Sequence, residues 1–441
     1  MNPNETHKPI NVGLLGIGTV GGGAFTVLAR NAAEITRRAG RPIRITHVAD
    51  KNLDLARKVG AGVTVTDDAF AVVDDPAVDI VVELIGGYGV AKELVLRAIA
   101  NGKHVVTANK ALLAVHGNEI FAAAQAKGVM VAFEAAVAGG IPIVKAVREG
   151  LTANRIEWIA GIINGTTNFI LSEMRDKGLS FAAALADAQR LGYAEADPAW
   201  DIDGVDAAHK ITILSALAFG IPMQFERAHI EGISQLEADD IRYAEQLGYR
   251  IKLLGITRRR PEGVELRVHP TLIPAKRLIA NVEGVMNAVL VQGDAVGATL
   301  YYGRGAGAEP TASAVIADLV DITRMATSDP ENRVPHLAFQ PDAVEDTKVL
   351  PLAEVETSYY LRLRVEDKPG VLADITRILA DQQISIDAMI QREPDEGELQ
   401  TDIIMLTHIT REKNIDAAIA KIEALPVVKK KVIRLRMEAL G

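Results

Sequence analysis

INVGLLGIGTVGGG, residues 10–23, is an apolar strand pattern that runs into a glycine-rich turn and then a predicted helix. Glycine permits such a tight turn and lets a pyrophosphate approach the backbone N–H groups at the start of a helix, where the helix dipole favours anions. An ordinary turn is the alternative, but the strand-turn-helix context favours a dinucleotide-binding site. Its residues are Gly16, Ile17, Gly18, Thr19, Val20 and Gly21.

Short β-branched runs alternate with amphipathic helical stretches from residue 10 to about residue 133. This rhythm predicts a doubly wound parallel α/β sheet of the Rossmann type. The predicted strands are residues 10–16, 43–49, 79–85, 104–107 and 129–133.

The carboxyl ends of these strands form the edge at which doubly wound sheets bind ligands. Asp50 follows the second strand and is the candidate for binding the adenosine ribose; a helix cap or turn residue is the alternative. Lys51, Arg44 and Arg57 offer positive charge to a 2′-phosphate instead, so the choice between NAD and NADP stays open.

Lys110 and the glycine pair Gly86-Gly87 also follow predicted strands, and therefore lie at the same edge. A lysine there reaches the substrate or the nicotinamide, although a solvated loop lysine is the alternative. The two glycines allow a ligand to approach the backbone closely.

The segment LGYAEADPAWDIDGVDAAHK, residues 191–210, leads into a nearly all-apolar helix predicted over 204–219. We expect Asp203 to cap this helix, which must be buried on most faces. Asp206 and Lys210 lie one turn apart on it, the arrangement of a general acid or base whose amine is oriented by a carboxylate. An ordinary ion pair at a helix start is the alternative, and His209 is interpreted as structural.

Residues 358–441 predict the order strand, helix, strand, strand, helix, strand, which is a ferredoxin-like βαββαβ domain. Its first helix follows the turn Asp367 to Gly370. The preceding residues 332–356 are rich in Pro, Asp and Val without a clear period, and indicate a linker.

Composition excludes several classes of protein. A net charge of -9 argues against nucleic-acid or membrane partners, and the absence of cysteine excludes disulfides, zinc-thiolate sites and a thiol nucleophile. The first nine residues lack the apolar core of a signal peptide, and the longest apolar stretch, 211–223, is too short to span a bilayer. We therefore expect a cytoplasmic protein with small-molecule partners.

Several linked motifs occur along the chain: GIGTVGGG (16–23), ANKALLA (108–114), FEAAVAGGIPI (133–143), GIINGTTNFIL (161–171), the segment 191–210, GRGAGAEPTASAV (303–315) and VEDKPGVLADIT (365–376). With these motifs the chain resembles homoserine dehydrogenase in its long form, with a C-terminal ACT domain. The resemblance covers essentially the whole chain.

The resemblance implies NAD- or NADP-dependent interconversion of L-homoserine and L-aspartate 4-semialdehyde, in threonine, methionine and isoleucine biosynthesis. Lys210 looks like the catalytic acid and base, and Lys110 a second lysine at the substrate and nicotinamide. Glu195 would bind the substrate amino group, with Asp201 and Asp206 supporting the site.

A monovalent cation, often sodium, is implied near Glu134, Val137, Gly139 and Ile141, held mostly by backbone carbonyls, and Gly307 is implied near the cofactor. The ACT domain implies feedback regulation by an amino acid, for which threonine is our prediction. Because an open sheet of this size leaves edges, we expect the domain to pair in a homodimer or homotetramer.

The resulting domain prediction is a Rossmann domain, an α+β catalytic and dimerisation domain, a linker and the ACT domain. Their bounds are 1–140, 141–345 with 305–330 returning to the first domain, 346–357 and 358–441.

Two alternatives stay open at this point. Another ACT-tailed dehydrogenase, such as phosphoglycerate dehydrogenase, needs a His/Glu pair and offers no role for 191–210. An inactive amino-acid-binding regulator is disfavoured by the intact Lys110, Glu195, Asp206 and Lys210.

Overall fold

A computed structural model describes residues 8–57, 62–394 and 398–441. The strands are β1 (Ile10–Leu15), β2 (Ile43–Ala49), β3 (Thr64–Thr66), β4 (Ile80–Glu83), β5 (His104–Thr107), β6 (Val131–Ala132), β7 (Ile156–Ile162), β8 (His229–Ile230), β9 (Tyr249–Arg260), β10 (Gly263–Pro274), β11 (Met286–Gly293), β12 (Gly297–Arg304), β13 (Glu356–Glu366), β14 (Ile386–Gln391), β15 (Gln400–Thr407), β16 (Thr410–Arg411) and β17 (Ile433–Met437).

The helices are α1 (Thr19–Arg30), α2 (Ala32–Ala39), α3 (Leu53–Ala56), α4 (Ala69–Asp74), α5 (Gly89–Ala100), α6 (Lys110–Lys127), α7 (Ile143–Lys145), α8 (Gly165–Lys177), α9 (Phe181–Arg190), α10 (Ala199–Ile202), α11 (Val205–Phe219), α12 (Ala238–Gln246), α13 (Ala308–Met325), α14 (Val371–Asp381) and α15 (Glu412–Glu423). Within the described part of the chain, none of them is long and apolar enough to cross a membrane.

The chain divides into two compact units, each built from three separate segments. Unit 1 comprises Met1–Gly165, Asp206–Ala228 and Val285–Thr347, and unit 2 comprises Thr166–Val205, His229–Gly284 and Lys348–Gly441.

Unit 1 contains a parallel sheet with the strand order β3-β2-β1-β4-β5-β6. The predicted Rossmann-type sheet is confirmed, and all five predicted strands are present, with β4 and β6 shorter than expected. The three-residue strand β3 was not predicted. The strand order reverses between β1 and β4, so the ligand crevice lies at the carboxyl ends of these two strands.

Helix α13, which comes much later in the chain, packs against this sheet. Its buried Val315 and Leu319 share one hydrophobic core with Leu14 of β1. The contact with α1 is close: a Cβ added at Gly23 would lie 2.5 Å from the carbonyl oxygen of Ala308. Glycine at this position therefore allows the two helices to pack at backbone distance.

The segment 332–347, which was expected to be part of a linker, packs on unit 1. His336 stacks on Phe121 with ring centroids 5.4 Å apart, and its Nε2 accepts a hydrogen bond from Val131 N. Phe339 covers Gly220, where an added Cβ would lie 2.7 Å from the ring. These contacts hold the segment against the body of the unit.

Unit 2 carries the predicted ferredoxin-like domain, which is confirmed. Its strands pair antiparallel in the order β17-β13-β15-β14, and α14 and α15 contribute Ile375, Leu379, Ile415 and Ile422 to one buried core with the sheet. Strand β17 also pairs in parallel with β10, with Thr271 opposite Arg436 and Leu272 opposite Met437. The last strand of the chain is therefore paired on both sides.

A buried ionic cluster stabilises this junction. Arg267 of β10 is 1% exposed and donates hydrogen bonds to Glu265 and to Glu438, the residue that follows β17. Its Nη1 lies 2.7 Å from Nε2 of His269. Burial and the two neighbouring arginines lower the pKa of His269 well below its usual value, so this imidazole is neutral and accepts from Arg267.

Candidate active site

The glycine-rich turn after β1 fits a pyrophosphate. Gly16 has φ +94°, and a Cβ there would lie 2.8 Å from the carbonyl oxygen of Leu84, while a Cβ at Gly21 would lie 2.1 Å from the carbonyl oxygen of Gly16. Gly18 is the N-cap of α1, no side chain caps the helix, and no atom lies within 4 Å of where its Cβ would be. The start of the helix is therefore open to an anionic group.

Asp50 contacts this turn directly. Its Oδ2 accepts a hydrogen bond from Ile17 N and its Oδ1 from Asn52 N, both at 2.8 Å. The cap of α3 is Asn52, whose side chain accepts from Leu55 N, so Asp50 is not itself a helix cap. Asp50 therefore fixes the second strand's carboxyl end to the glycine-rich turn.

The basic residues near Asp50 lie in different places. Arg44 is exposed near the amino end of β2, away from the ligand edge, while Lys51 is exposed directly beside Asp50. Arg57 follows α3 and lies 3.8 Å from the carboxylate of Asp54.

Two lysines share one carboxylate in unit 1. Lys210 Nζ donates to Asp206 Oδ2 at 2.6 Å and to the carbonyl oxygen of Ile163 at 2.7 Å. Lys110 Nζ lies 3.1 Å from Asp206 Oδ1, and Asn164 Nδ2 donates to Oδ2 at 2.9 Å. Asp206 is buried, while the side chain of Lys110 is 38% exposed.

Electrostatics keep Asp206 ionised. Burial raises the pKa of Asp206, but the charges of Lys210 and Lys110, with hydrogen bonds from Lys210 and Asn164, outweigh burial and hold the pKa well below its usual range. Burial lowers the pKa of the adjacent His209 to about 4, and its ring packs on Phe225 with centroids 4.4 Å apart. His209 is therefore neutral at pH 7.

Lys110 is positioned by the start of α6. Asn109 caps this helix with its side-chain oxygen, which accepts from Leu112 N, and its Nδ2 donates to the carbonyl oxygen of Gly87 at 2.8 Å. Thr107 Oγ1 accepts from Asn109 N and donates to Glu83 at 2.7 Å. Glu83, Thr107 and Asn164 were not predicted from the sequence. The sequence signal that could have identified Glu83 is a carboxylate at the end of an apolar strand, just before two glycines.

The segment expected to hold a cation has a strained backbone. Ala138 and Gly139 both have positive φ, at 53° and 41°. The two carboxylate oxygens of Glu134 accept from the backbone N–H groups of Val144 and Lys145, and burial together with Asp318 raises the pKa of Glu134 to about 7. Among the described residues, no group of three His, Asp or Glu side chains could hold a metal.

The remaining predicted site residues belong to other elements. Glu195 is exposed in the turn between α9 and α10, where Gln189 Nε2 donates to its carbonyl oxygen at 3.1 Å, and Asp201 lies in α10. Both belong to unit 2, whereas Lys110, Asp206 and Lys210 belong to unit 1. Gly307, with φ +120°, is the N-cap of α13 in unit 1, and no side chain caps that helix.

One local prediction was wrong. Asp203 does not cap the helix of Lys210; it is the C-cap of α10, with helical backbone angles. Gly204, with φ +84°, interrupts the helical conformation between α10 and α11, and α11 begins at Val205. A capping aspartate needs extended backbone angles, which Asp203 lacks.

Comparison with known proteins accounts for all three parts of the chain. Residues 16–134 match the NAD-binding domain of homoserine dehydrogenase, residues 142–320 match the homoserine dehydrogenase catalytic family and residues 359–427 match the ACT domain. The chain belongs to the homoserine dehydrogenase family. It is an NAD(P)-dependent oxidoreductase, which confirms the predicted activity over a phosphoglycerate dehydrogenase or an inactive regulator.

Individual family members are similar over nearly the full length. The homoserine dehydrogenase of Pseudomonas aeruginosa is 62% identical over 98% of this chain and 100% of its own. The crystal structure of the Thiobacillus denitrificans homoserine dehydrogenase has a TM-score of 0.94 at 72% identity, covering 98% of this chain and 99% of that one. A hyperthermophilic archaeal homoserine dehydrogenase in complex with NADPH has a TM-score of 0.62 at 25% identity, covering 73% of this chain and 99% of that one.

Proposed function

We propose that Lys210 is the acid and base of the homoserine dehydrogenase reaction and that Lys110 binds the reacting oxygen beside it. The observation that carries this proposal is the single buried carboxylate of Asp206, which holds both ammonium groups within 3.1 Å. In the oxidation, Lys210 acts as the neutral amine, after releasing its own proton to solvent: Nζ accepts the proton of the homoserine hydroxyl and becomes an ammonium. In the reduction, the Lys210 ammonium donates a proton to the aldehyde oxygen and returns to the amine.

The other residues bind and orient. When bound, the nicotinamide exchanges a hydride with the carbon that carries the reacting oxygen. Asp206 fixes the direction of both lysine side chains, and Glu195 binds the substrate ammonium, with Asp201 supporting it. An assay of nicotinamide absorbance with homoserine tests the reaction, and the variant Lys210→Met tests the role of Lys210.

A monovalent cation such as sodium is part of the proposal. Both carboxylate oxygens of Glu134 accept hydrogen bonds from backbone N–H groups. The proposed ligands of the cation are therefore the backbone carbonyls of Val137, Gly139 and Ile141, with Glu134 beside them. The positive φ angles at Ala138 and Gly139 support a loop whose carbonyls converge.

We propose that the enzyme can use both NAD and NADP as cofactor, and that it is active at least with NAD. Asp50 repels a 2′-phosphate, while Lys51 beside it attracts one, and an archaeal relative is known in complex with NADPH. We expect values of kcat/KM for NAD and NADP within about a hundredfold, or roughly 2.7 kcal/mol. Replacing Asp50→Asn should shift the ratio about tenfold toward NADP, because the amide oxygen still accepts from Ile17 N but the charge is gone.

The matched control for Asp50→Asn is Glu34→Gln. Glu34 lies in α2, which precedes the amino end of β2 and is therefore away from the ligand edge, and its side chain is 50% exposed, so its replacement should leave the ratio unchanged. A wild-type preference for NADP above about a hundredfold would mean that the basic residues dominate. Equal shifts in both variants would mean that only net charge matters.

The effector is proposed to be threonine, bound at the turn before α14. Gly370, with φ +94°, is the N-cap of this helix and no side chain caps it, so backbone N–H groups can meet a carboxylate. Asp367 and Asp387 are exposed and supply the charge that an ammonium needs. The edge strand β14 exposes Met389, which supports pairing with a second copy in a homodimer or homotetramer.

We propose that the ACT domain affects catalysis through contacts within unit 2. This domain and the segment Thr166–Val205, which contains Glu195, belong to the same compact unit. The pairing of β17 with β10 and the cluster around Arg267 give that unit a continuous connection. A shift of the ACT domain therefore biases the substrate-binding segment without needing the linker.

We expect L-threonine to inhibit the full chain. The double variant Asp367→Ala, Asp387→Ala should need at least about tenfold more threonine for half-inhibition, because a charge-assisted hydrogen bond contributes about 1.5–3 kcal/mol. Asp381→Ala, at the other end of α14, is the control and should respond like wild type. If neither threonine nor another aspartate-derived amino acid inhibits or binds, the domain only dimerises.

A further inference from the structure

We propose that Glu83 is a positioning residue of the dehydrogenase, which sets the place of Lys110 and of the Gly86-Gly87 loop. Glu83 is the last residue of β4, in the middle of the parallel sheet, at the carboxyl edge that faces the ligand crevice. The inference rests on the proposed role of Lys110 and extends it to the residue that holds Lys110 in place.

The burial of Glu83 indicates that its carboxylate is needed for the hydrogen bonds that it accepts. The residue is fully buried, and a buried carboxylate is costly unless hydrogen bonds satisfy both oxygens. Oε1 accepts from Ile85 N at 2.9 Å and from Gly86 N at 3.0 Å, and Oε2 accepts from Thr107 Oγ1 at 2.7 Å. An apolar residue would fill the space but could hold neither loop.

One branch of the network leads to Lys110. The Thr107 hydroxyl donates to Glu83, so its lone pair is directed to Asn109 N at 3.0 Å. Asn109 is the N-cap of α6, and Lys110 is the first residue of that helix. Lys110 Nζ ends 3.1 Å from Asp206. The carboxylate therefore determines where the helix starts and where its first lysine points.

The other branch leads to the Gly86-Gly87 loop. Gly86 and Gly87 are two consecutive left-handed residues, with φ of +80° and +73°. Glu83 accepts from Gly86 N, and Asn109 Nδ2 donates to the carbonyl oxygen of Gly87. The next residue, Tyr88, has its hydroxyl 3.4 Å from Nε2 of His209, the neighbour of Lys210 in sequence. One carboxylate thus ties together two loops that border the lysine pair.

The experiment compares Glu83→Gln with Asp79→Asn. Asp79 precedes the amino end of the same strand, and its Oδ2 accepts from Asn11 N at 2.8 Å, so its variant perturbs the strand but not the ligand edge. The glutamine amide has only one oxygen: if that oxygen accepts from Ile85 N and Gly86 N, the NH2 group faces Thr107 Oγ1, and the Thr107 hydroxyl loses its acceptor and its fixed orientation. We expect kcat to fall about 10- to 100-fold in Glu83→Gln, because small displacements of reacting groups cost that much. Asp79→Asn should keep kcat within about twofold of wild type.

A double variant separates positioning from folding. If Glu83 acts through Lys110, adding Glu83→Gln to Lys110→Met should lower kcat by less than about twofold beyond Lys110→Met alone. Should Glu83→Gln fail to fold, Thr107→Val against Thr107→Ser carries the same test, since only serine keeps the hydroxyl and should restore kcat.

The proposal is overturned if Glu83→Gln keeps wild-type kcat, if Asp79→Asn falls equally, or if the losses from Glu83→Gln and Lys110→Met multiply. A wild-type kcat in Lys110→Met contradicts the role of Lys110 itself. That result is distinct from an inactive Lys110→Met together with an unaffected Glu83→Gln, which contradicts only the role of Glu83.

Discussion

Replacing Lys210 with methionine is expected to lower kcat by roughly 10²- to 10⁴-fold while the affinity for the nicotinamide cofactor stays within about twofold, since proton transfer by a positioned group contributes that much. Methionine keeps the apolar stem of this buried side chain but removes the Nζ that contacts Asp206 and the carbonyl oxygen of Ile163. Steady-state assays with homoserine give kcat, and fluorescence titration gives the cofactor dissociation constant. A kcat within about threefold of wild type would exclude Lys210 as the acid and base.

Glu195→Gln provides the contrast to Lys210→Met. Glu195 is exposed and its proposed partner is the substrate ammonium, so its replacement should raise KM for homoserine and leave kcat almost unchanged. Opposite effects of the two variants on kcat and KM would separate the group that moves the proton from the group that binds. An unchanged KM in Glu195→Gln would contradict the binding role.

Arg267→Met is expected to lower the free energy of unfolding by about 3 kcal/mol, because breaking a buried ion pair on one side leaves the partner charge buried. Arg267 is 1% exposed and contacts Glu265 and Glu438. Each glutamate keeps one further arginine, Arg260 and Arg258 respectively, so the effect falls at the lower end of the usual range. Thermal unfolding followed by far-UV circular dichroism and by tryptophan fluorescence measures it.

Arg411→Met is the control for Arg267→Met. Arg411 pairs with Glu356 in the same unit, but its side chain is 50% exposed, so its loss should leave the melting temperature almost unchanged. Adding Glu438→Gln to Arg267→Met removes one of the two stranded charges and should recover part of the stability. Equal melting temperatures for Arg267→Met and Arg411→Met would mean that the buried cluster contributes no more than a surface pair.

The two outer parts of the fold could be predicted because their signals are local. The turn from Gly16 to Gly21 and the βαββαβ order after residue 358 are both legible within short windows of sequence. Strand β10 shows why the middle part of the fold could not be predicted from the sequence. Val264, Leu266 and Val268 alternate with Glu265, Arg267 and His269, a pattern that predicts one face in solvent, yet both faces are buried.

The candidate site shows the same division. Asp206 and Lys210 could be paired from their spacing on one helix, which the structure bears out at 2.6 Å. Lys110 joins them only through the tertiary fold. The sequence marks Glu83 as a carboxylate at the end of an apolar strand, but its link to Lys110 through Thr107 and Asn109 exists only in the folded protein. Asp203 failed as a cap because a left-handed Gly204 separates it from the helix, a backbone feature that side-chain patterns do not report.

The junction of β17 with β10 also sets the order in which the protein can be completed on the ribosome. Arg267 meets its partner Glu438 only after 171 further residues have been added. At ribosomal speeds of about 5–20 residues per second, this delay is roughly ten to thirty seconds, during which the edge of β10 and its buried arginine lack their partner strand. A nascent chain that has not yet reached Glu438 therefore carries a buried arginine without one of its two carboxylate partners. We expect such chains to depend on chaperones until Glu438 has left the ribosome.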